Sequence, residues 1–154
     1  MDELSKLLKT TTQKRTIPRQ ATQTESIVWQ DFKKSLNKNL KIRSYTRLET
    51  WAMPGVPDVV FCDLDGNFHF VELKSVSGSV VKLSPHQVSW LTKHSHASVW
   101  VIAKKKATKT KKAEIFLYHA SQAVDVSFDG LSVAPKHQSK SEDYDSILSF
   151  ILKS

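Results

Sequence analysis

Two carboxylates and an ammonium group stand out by type and spacing. Asp58 opens the apolar run Val59-Val60-Phe61-Cys62, and fourteen residues later Glu72 and Lys74 sit two apart in Phe70-Val71-Glu72-Leu73-Lys74. If both runs are β-strands, the side-chain period of two sends Glu72 and Lys74 to one face and Val71 and Leu73 to the other. Between the runs lies Asp63-Leu64-Asp65-Gly66-Asn67, and Asp-Gly is the strongest short-range signal of a hairpin. In the right register that hairpin sets Asp58 beside Glu72. Charges within apolar strands are costly to bury without partners, and a divalent cation is such a partner. Two carboxylates, water and a phosphate oxygen make an Mg²⁺-type oxygen site. A surface hairpin with Glu72 and Lys74 on its solvated face accounts for Glu-x-Lys equally well.

Two further stretches narrow the choice. Gly55-Val56-Pro57-Asp58 puts an acid directly after a turn stiffened by proline. After a Ser/Gly-containing loop comes Leu83-Ser84-Pro85-His86-Gln87-Val88-Ser89-Trp90-Leu91, which opens a helix, because serine is favoured at the cap and proline at the first helical position. Taken together, Gly-x-Pro-Asp, Val-Glu-Leu-Lys and the glutamine-bearing helix resemble the PD-(D/E)xK nuclease superfamily and, more closely, its VRR-NUC branch. The resemblance spans roughly residues 25–104.

That resemblance implies an α/β fold with a restriction-endonuclease-like core, a mixed central β-sheet flanked by helices in the order αβββαβ. It implies that Asp58 and Glu72 bind Mg²⁺ or Mn²⁺, that Lys74 orients or activates water, that Glu25 is a third acid at the metal, and that Gln87 holds a water or the scissile phosphate. It also implies hydrolysis of DNA phosphodiesters. The family's stand-alone members, phage ones included, are small dimeric nucleases linked to branched DNA such as Holliday junctions. A homodimer acting on branched duplex is therefore expected. Two other readings stay open: a general or sequence-specific nuclease on the same fold, and a non-catalytic nucleic-acid-binding module.

On their own residues, Glu25 and Gln87 allow plainer roles. Thr22 and Glu25 have capping-box spacing at the head of a helix predicted over Thr24–Asn37, whose stripe is Val28, Trp29, Phe32 and Leu36. Glu25 lies three and four residues before Val28 and Trp29, so it faces the buried side, where a cap and a metal role are compatible. Gln87 stands in the same relation to Trp90 and Leu91, and a helix-to-loop hydrogen bond is its simpler use. His86 should face elsewhere.

These residues need a frame. Residues 41–51, with Arg43 and Arg47, read as a strand, as do 98–103 and 114–119. Lys104 to Lys112 reads as a basic loop whose Lys104, Lys105, Lys106, Lys109, Lys111 and Lys112 are candidate phosphate contacts, together with Arg43 and Arg47. A solvated loop is the alternative. A short strand is expected near Val124–Phe128 and a final helix over Ser141–Leu152. The expected organisation is a basic, weakly ordered segment at 1–20, a nuclease core at 21–120 and a C-terminal extension at 121–154.

The bulk numbers agree with one domain. The chain has 154 residues and a net charge of +8, which suits a polyanionic partner though it does not require one. The charge is concentrated at the two ends: residues 1–50 carry eleven Lys/Arg against five Asp/Glu, and residues 51–100 carry three against four. A single cysteine, Cys62, excludes an intramolecular disulfide and a cysteine-based zinc site, and points to a small core residue in a reducing, cytoplasmic setting. No apolar stretch reaches membrane-spanning length and Met1–Thr10 lacks the apolar segment of a signal peptide, so no membrane partner is expected.

Overall fold

The computed structural model describes residues 23–48 and 52–154. The basic segment expected at 1–20 and the Thr22 half of the capping box lie outside them. The first helix, α1 (Gln23–Lys38), forms where its stripe predicts: Val28, Trp29, Phe32 and Leu36 are all buried. Lys38 in its last turn suits the negative end of the helix dipole.

Strands β1 (Ile42–Arg47), β2 (Val59–Asp63) and β3 (Phe68–Val76) follow as antiparallel neighbours. Helix α2 (Pro85–Lys93) then crosses over, which lets β4 (Val99–Lys105) run parallel to β3. Strands β5 (Glu114–His119) and β6 (His137–Ser139) complete a six-stranded mixed sheet in the order β1-β2-β3-β4-β5-β6. Between β5 and β6 lies α3 (Ala123–Asp129), and the chain closes with α4 (Tyr144–Lys153).

The sheet is covered on both faces. Val59, Phe61, Val71, Leu73, Ile102, Ile115 and Leu117 pack with α1 and α4. Val76, Val99, Val101, Ala103, Phe116 and Tyr118 pack with α2 and α3. Strand β4 is therefore buried on both sides, which is why it reads as an unbroken apolar run. The α/β class and the helix-flanked mixed sheet stand as expected. No helix among the described residues is long and apolar enough to cross a membrane.

Three expectations need correction. Val124–Phe128 is helix, not strand: Ala123 and Val126 are buried three apart, while Val124 and Phe128 are exposed on the other side of α3. The missing strand is β6, whose polar side chains give no apolar signal because backbone pairing with β5 holds it. Lys104 and Lys105 belong to β4, so the basic loop begins at Lys106. Residues 121–154 are no appendage either, since β6 extends the sheet and Ile147, Leu148 and Ile151 of α4 sit in the core with Phe32 and Phe61.

Candidate active site

The hairpin register decides whether the acids meet. Val59 pairs with Val71 and Val60 with Phe70, so carrying that register one step further sets Asp58 opposite Glu72. Two backbone contacts hold Asp58 there. Its carbonyl accepts from the Leu48 N–H (2.7 Å), and its Oδ2 accepts from the Leu73 N–H (2.8 Å). Glu72 is only 3% exposed and, with Lys74, points to the face covered by α2.

Helix α2 supplies the fourth group. The Lys74 ammonium lies 3.5 Å from Glu72 Oε1 and donates to Gln87 Oε1 at 3.0 Å. Gln87 Nε2 donates to Glu72 Oε1 at 2.7 Å. One amide thus bridges the acid and the ammonium. Its own position is set by the helix cap: Gln87 Oε1 also accepts from the Ser84 N–H (2.9 Å), and Ser84 Oγ accepts from the Gln87 N–H (3.2 Å). This reciprocal capping box is legible as Ser-x-x-Gln, a signal that the serine and proline alone did not exhaust.

The electrostatics follow from burial. Desolvation holds the Glu72 carboxyl well above the ordinary carboxylate range, and the Asp58 charge adds to that, against the pull of Lys74. Desolvation also raises Asp58, opposed by the Leu73 N–H and Lys74, while the charge of Glu25 pushes it further up. Each acid bears on the other's ionisation, Asp58 pushing Glu72 up and Glu72 pulling Asp58 down, as coupled carboxyls do when they cannot both ionise freely. A hard divalent cation satisfies the same pair, so the donor set fits Mg²⁺ or Mn²⁺.

Glu25 is half-buried on the first turn of α1 and acts on Asp58 through its charge. Among the described residues, no three His, Cys, Asp or Glu side chains gather closely enough to hold a metal. Two protein carboxylates are nonetheless a usual complement for Mg²⁺, which keeps several waters and substrate oxygens.

The expected basic contacts divide. Lys106, Lys109, Lys111 and Lys112 are exposed and leave β4 at the same end of the sheet as Lys74, because β3 and β4 are parallel. Lys104 is instead drawn into ion pairs with Glu142 (3.2 Å) and Asp31 (3.7 Å), tying β4 to α1 and to the segment before α4. Lys105 is half-buried. Arg47 lies opposite Val59, near the acids, with its guanidinium over the Trp29 ring. Arg43 is at the other end of the hairpin and donates to the Leu64 carbonyl, about 15 Å away by strand rise. His86 is exposed, as anticipated.

One polar cluster gave no sign of itself in the motifs. His69 is buried, with Nε2 2.9 Å from Asp63 Oδ2 and Nδ1 2.6 Å from Ser98 Oγ. Ser98 Oγ accepts from Trp100 Nε1, and Asp63 Oδ1 accepts from the Asp65 and Asn67 N–H groups. His69 holds the Asp63 carboxyl below the ordinary range. Strand parity was the available signal: His69 shares a face with Val71 and Leu73, hence the core face.

Comparisons with known proteins find no matching family model, no matching curated protein and no matching solved structure.

Proposed function

We propose that the chain is a Mg²⁺- or Mn²⁺-dependent DNA endonuclease of the PD-(D/E)xK type, with a restriction-endonuclease-like core of the VRR-NUC kind. The observation that carries the reading is the convergence of Asp58, Glu72, Lys74 and Gln87 at one end of a hairpin, with the Gln87 amide bonded to both Glu72 and Lys74. A protein that only bound phosphate would have no use for two apposed carboxylates.

In this reading Asp58 and Glu72 hold the metal, and Glu25 adds negative charge nearby. When bound, the ion polarises the scissile phosphate and lowers the pKa of a water. Lys74, anchored by Gln87 Oε1, orients that water and donates to the oxygen on which negative charge grows. Gln87 keeps the ammonium and the Glu72 carboxylate in fixed relation. The exposed lysines after β4, with Arg47, set the duplex in place through its phosphates without reading bases.

The substrate reading is branched DNA, cut in the cytoplasm by a homodimer whose two equivalent centres make paired incisions. It rests on the resemblance carried by Gly-x-Pro-Asp, Val-Glu-Leu-Lys and the Gln87 helix. A panel of labelled four-way junction, flap, nicked, linear and single-stranded DNA in Mg²⁺ or Mn²⁺ tests it. The junction is expected to be cut fastest. Equal rates on linear duplex reassign the chain to a general nuclease, and no cleavage of any substrate removes the enzymatic reading.

A further inference from the structure

We infer that Gly55 is a positioning residue: its missing side chain lets the turn before Asp58 press against the first turn of α2 and so sets where the Gln87 amide lies. The inference rests on reading Asp58, Glu72, Lys74 and Gln87 as the reacting set.

Gly55 has φ +94°, a backbone region that side-chain-bearing residues rarely adopt. Space is the stronger constraint. A β-carbon at Gly55 would overlap the His86 carbonyl oxygen, lying 2.6 Å from its carbon and 3.1 Å from the Gln87 nitrogen. All three are helix backbone, so no side chain can swing aside. The turn or the head of α2 must move.

Both sides of that contact lead into the site. On the turn side, the chain runs from Gly55 through the buried Pro57 to Asp58, whose carboxyl accepts from Leu73 N–H and meets Glu72. On the helix side, the crowded Gln87 nitrogen donates to Ser84 Oγ, and the same residue's amide joins Glu72 Oε1 to Lys74 Nζ. A backbone shift at 86–87 is therefore a shift of the bridge, and a hydrogen bond of 2.7 Å weakens as it lengthens and bends.

The molecule contains its own control. Gly66 also has positive φ (+84°), but a β-carbon there meets nothing within 4 Å. Gly66→Ala thus imposes similar backbone strain without the collision. Each variant is studied in the full chain by two readouts: hydrogen exchange of the Gln87 side-chain amide by NMR, and steady-state cleavage of a junction. In Gly55→Ala the Gln87 amide is expected to lose protection and kcat to fall on the order of 10²-fold, as small misplacements of reacting groups do, with KM within about threefold. Gly66→Ala is expected to leave all three unchanged. In a Gln87→Ala background, Gly55→Ala should cost kcat nothing further, because coupled residues are not additive.

Wild-type protection of the Gln87 amide in Gly55→Ala overturns the proposal, as does an equal loss of protection in Gly66→Ala. Should Gly55→Ala not fold, Val56→Gly frees the same turn without adding atoms. Faster exchange at the Gln87 amide in that variant upholds the proposal, and unchanged exchange ends it. If the wild type cleaves nothing, the nuclease reading fails by itself, and the amide measurement still decides the role of Gly55.

Discussion

At the scale of the residue, Glu72 concentrates the energetics. A carboxylate 3% exposed beside a second acid is favourable only when protonated, paired or bound to a cation. Lys74 and Gln87 supply part of the pairing, and burial beside Asp58 raises the affinity of Glu72 for a proton. The sign of the pH dependence follows. Because folding raises the affinity of this pair for a proton, its contribution to stability is present at low pH and declines as pH rises above the ordinary carboxylate range. The metal-free protein should therefore lose Tm as pH rises above the ordinary carboxylate range, and Mg²⁺ should restore it most at the higher pH, where the ion competes less with the proton. Glu72→Gln, which mimics the protonated acid, should flatten both responses. Calorimetry with and without Mg²⁺ reads this, and a wild-type Tm that rises with pH above that range without metal contradicts it. Asp58, Glu72 and Lys74 were legible in the sequence because strand parity and an Asp-Gly turn leave little freedom. Glu25 was less so, since helix spacing gives a face but no distance to a strand.

At the scale of the element, the β2–β3 hairpin is fastened at both ends by polar groups of opposite character. The Asp58–Glu72 end sets two acids against each other, with Glu72 buried. The Asp63–His69–Ser98 end is satisfied, joining the turn to the start of β4. Here the sign reverses: Asp63 is depressed, so its contribution is present above the ordinary carboxylate range and lost as pH falls through its lowered value. His69→Ala leaves buried hydrogen-bonding groups without partners and should cost about 1–3 kcal/mol, read by urea unfolding, while cleavage at saturating Mg²⁺ and DNA stays near wild type. A large loss of activity with little loss of stability would move His69 into the reacting set. The hairpin and α2 were readable because turn and cap residues signal locally. Residues 120–140 were not: α3 exposes Val124 and Phe128, which mimic strand alternation, and β6 depends on a partner strand distant in sequence.

At the scale of the whole molecule, the sheet binds the chain into one unit and the charge gives that unit a direction. The expected boundary at residue 120 has no counterpart in the packing, because Ile147, Leu148 and Ile151 fill the same cluster as α1. Leu148→Ala should cost about 2–5 kcal/mol and lower one cooperative transition. Two separated transitions would instead make the C-terminal part an independent piece. The exposed Lys106, Lys109, Lys111 and Lys112 lie at the end of the sheet that Lys74 occupies. Replacing all four with glutamine should weaken DNA binding and lower the slope of log affinity against log salt by about one for each phosphate that is no longer neutralised, leaving kcat at saturating DNA unchanged. An unaltered salt slope removes the loop from the interface. Composition revealed the basic character, but only the parallel β3–β4 pairing shows which end of the sheet these lysines share with Lys74.

The most direct measurement is the single-turnover cleavage rate of a labelled four-way junction by wild type and Glu72→Gln, each in Mg²⁺ and in excess EDTA. Neither protein is expected to cut in EDTA, and in Mg²⁺ the variant is expected to cut more slowly than the wild type on the order of 10³-fold. A variant that cuts at the wild-type rate, or a wild type indifferent to EDTA, contradicts the assignment of Glu72 and a divalent ion to the chemistry.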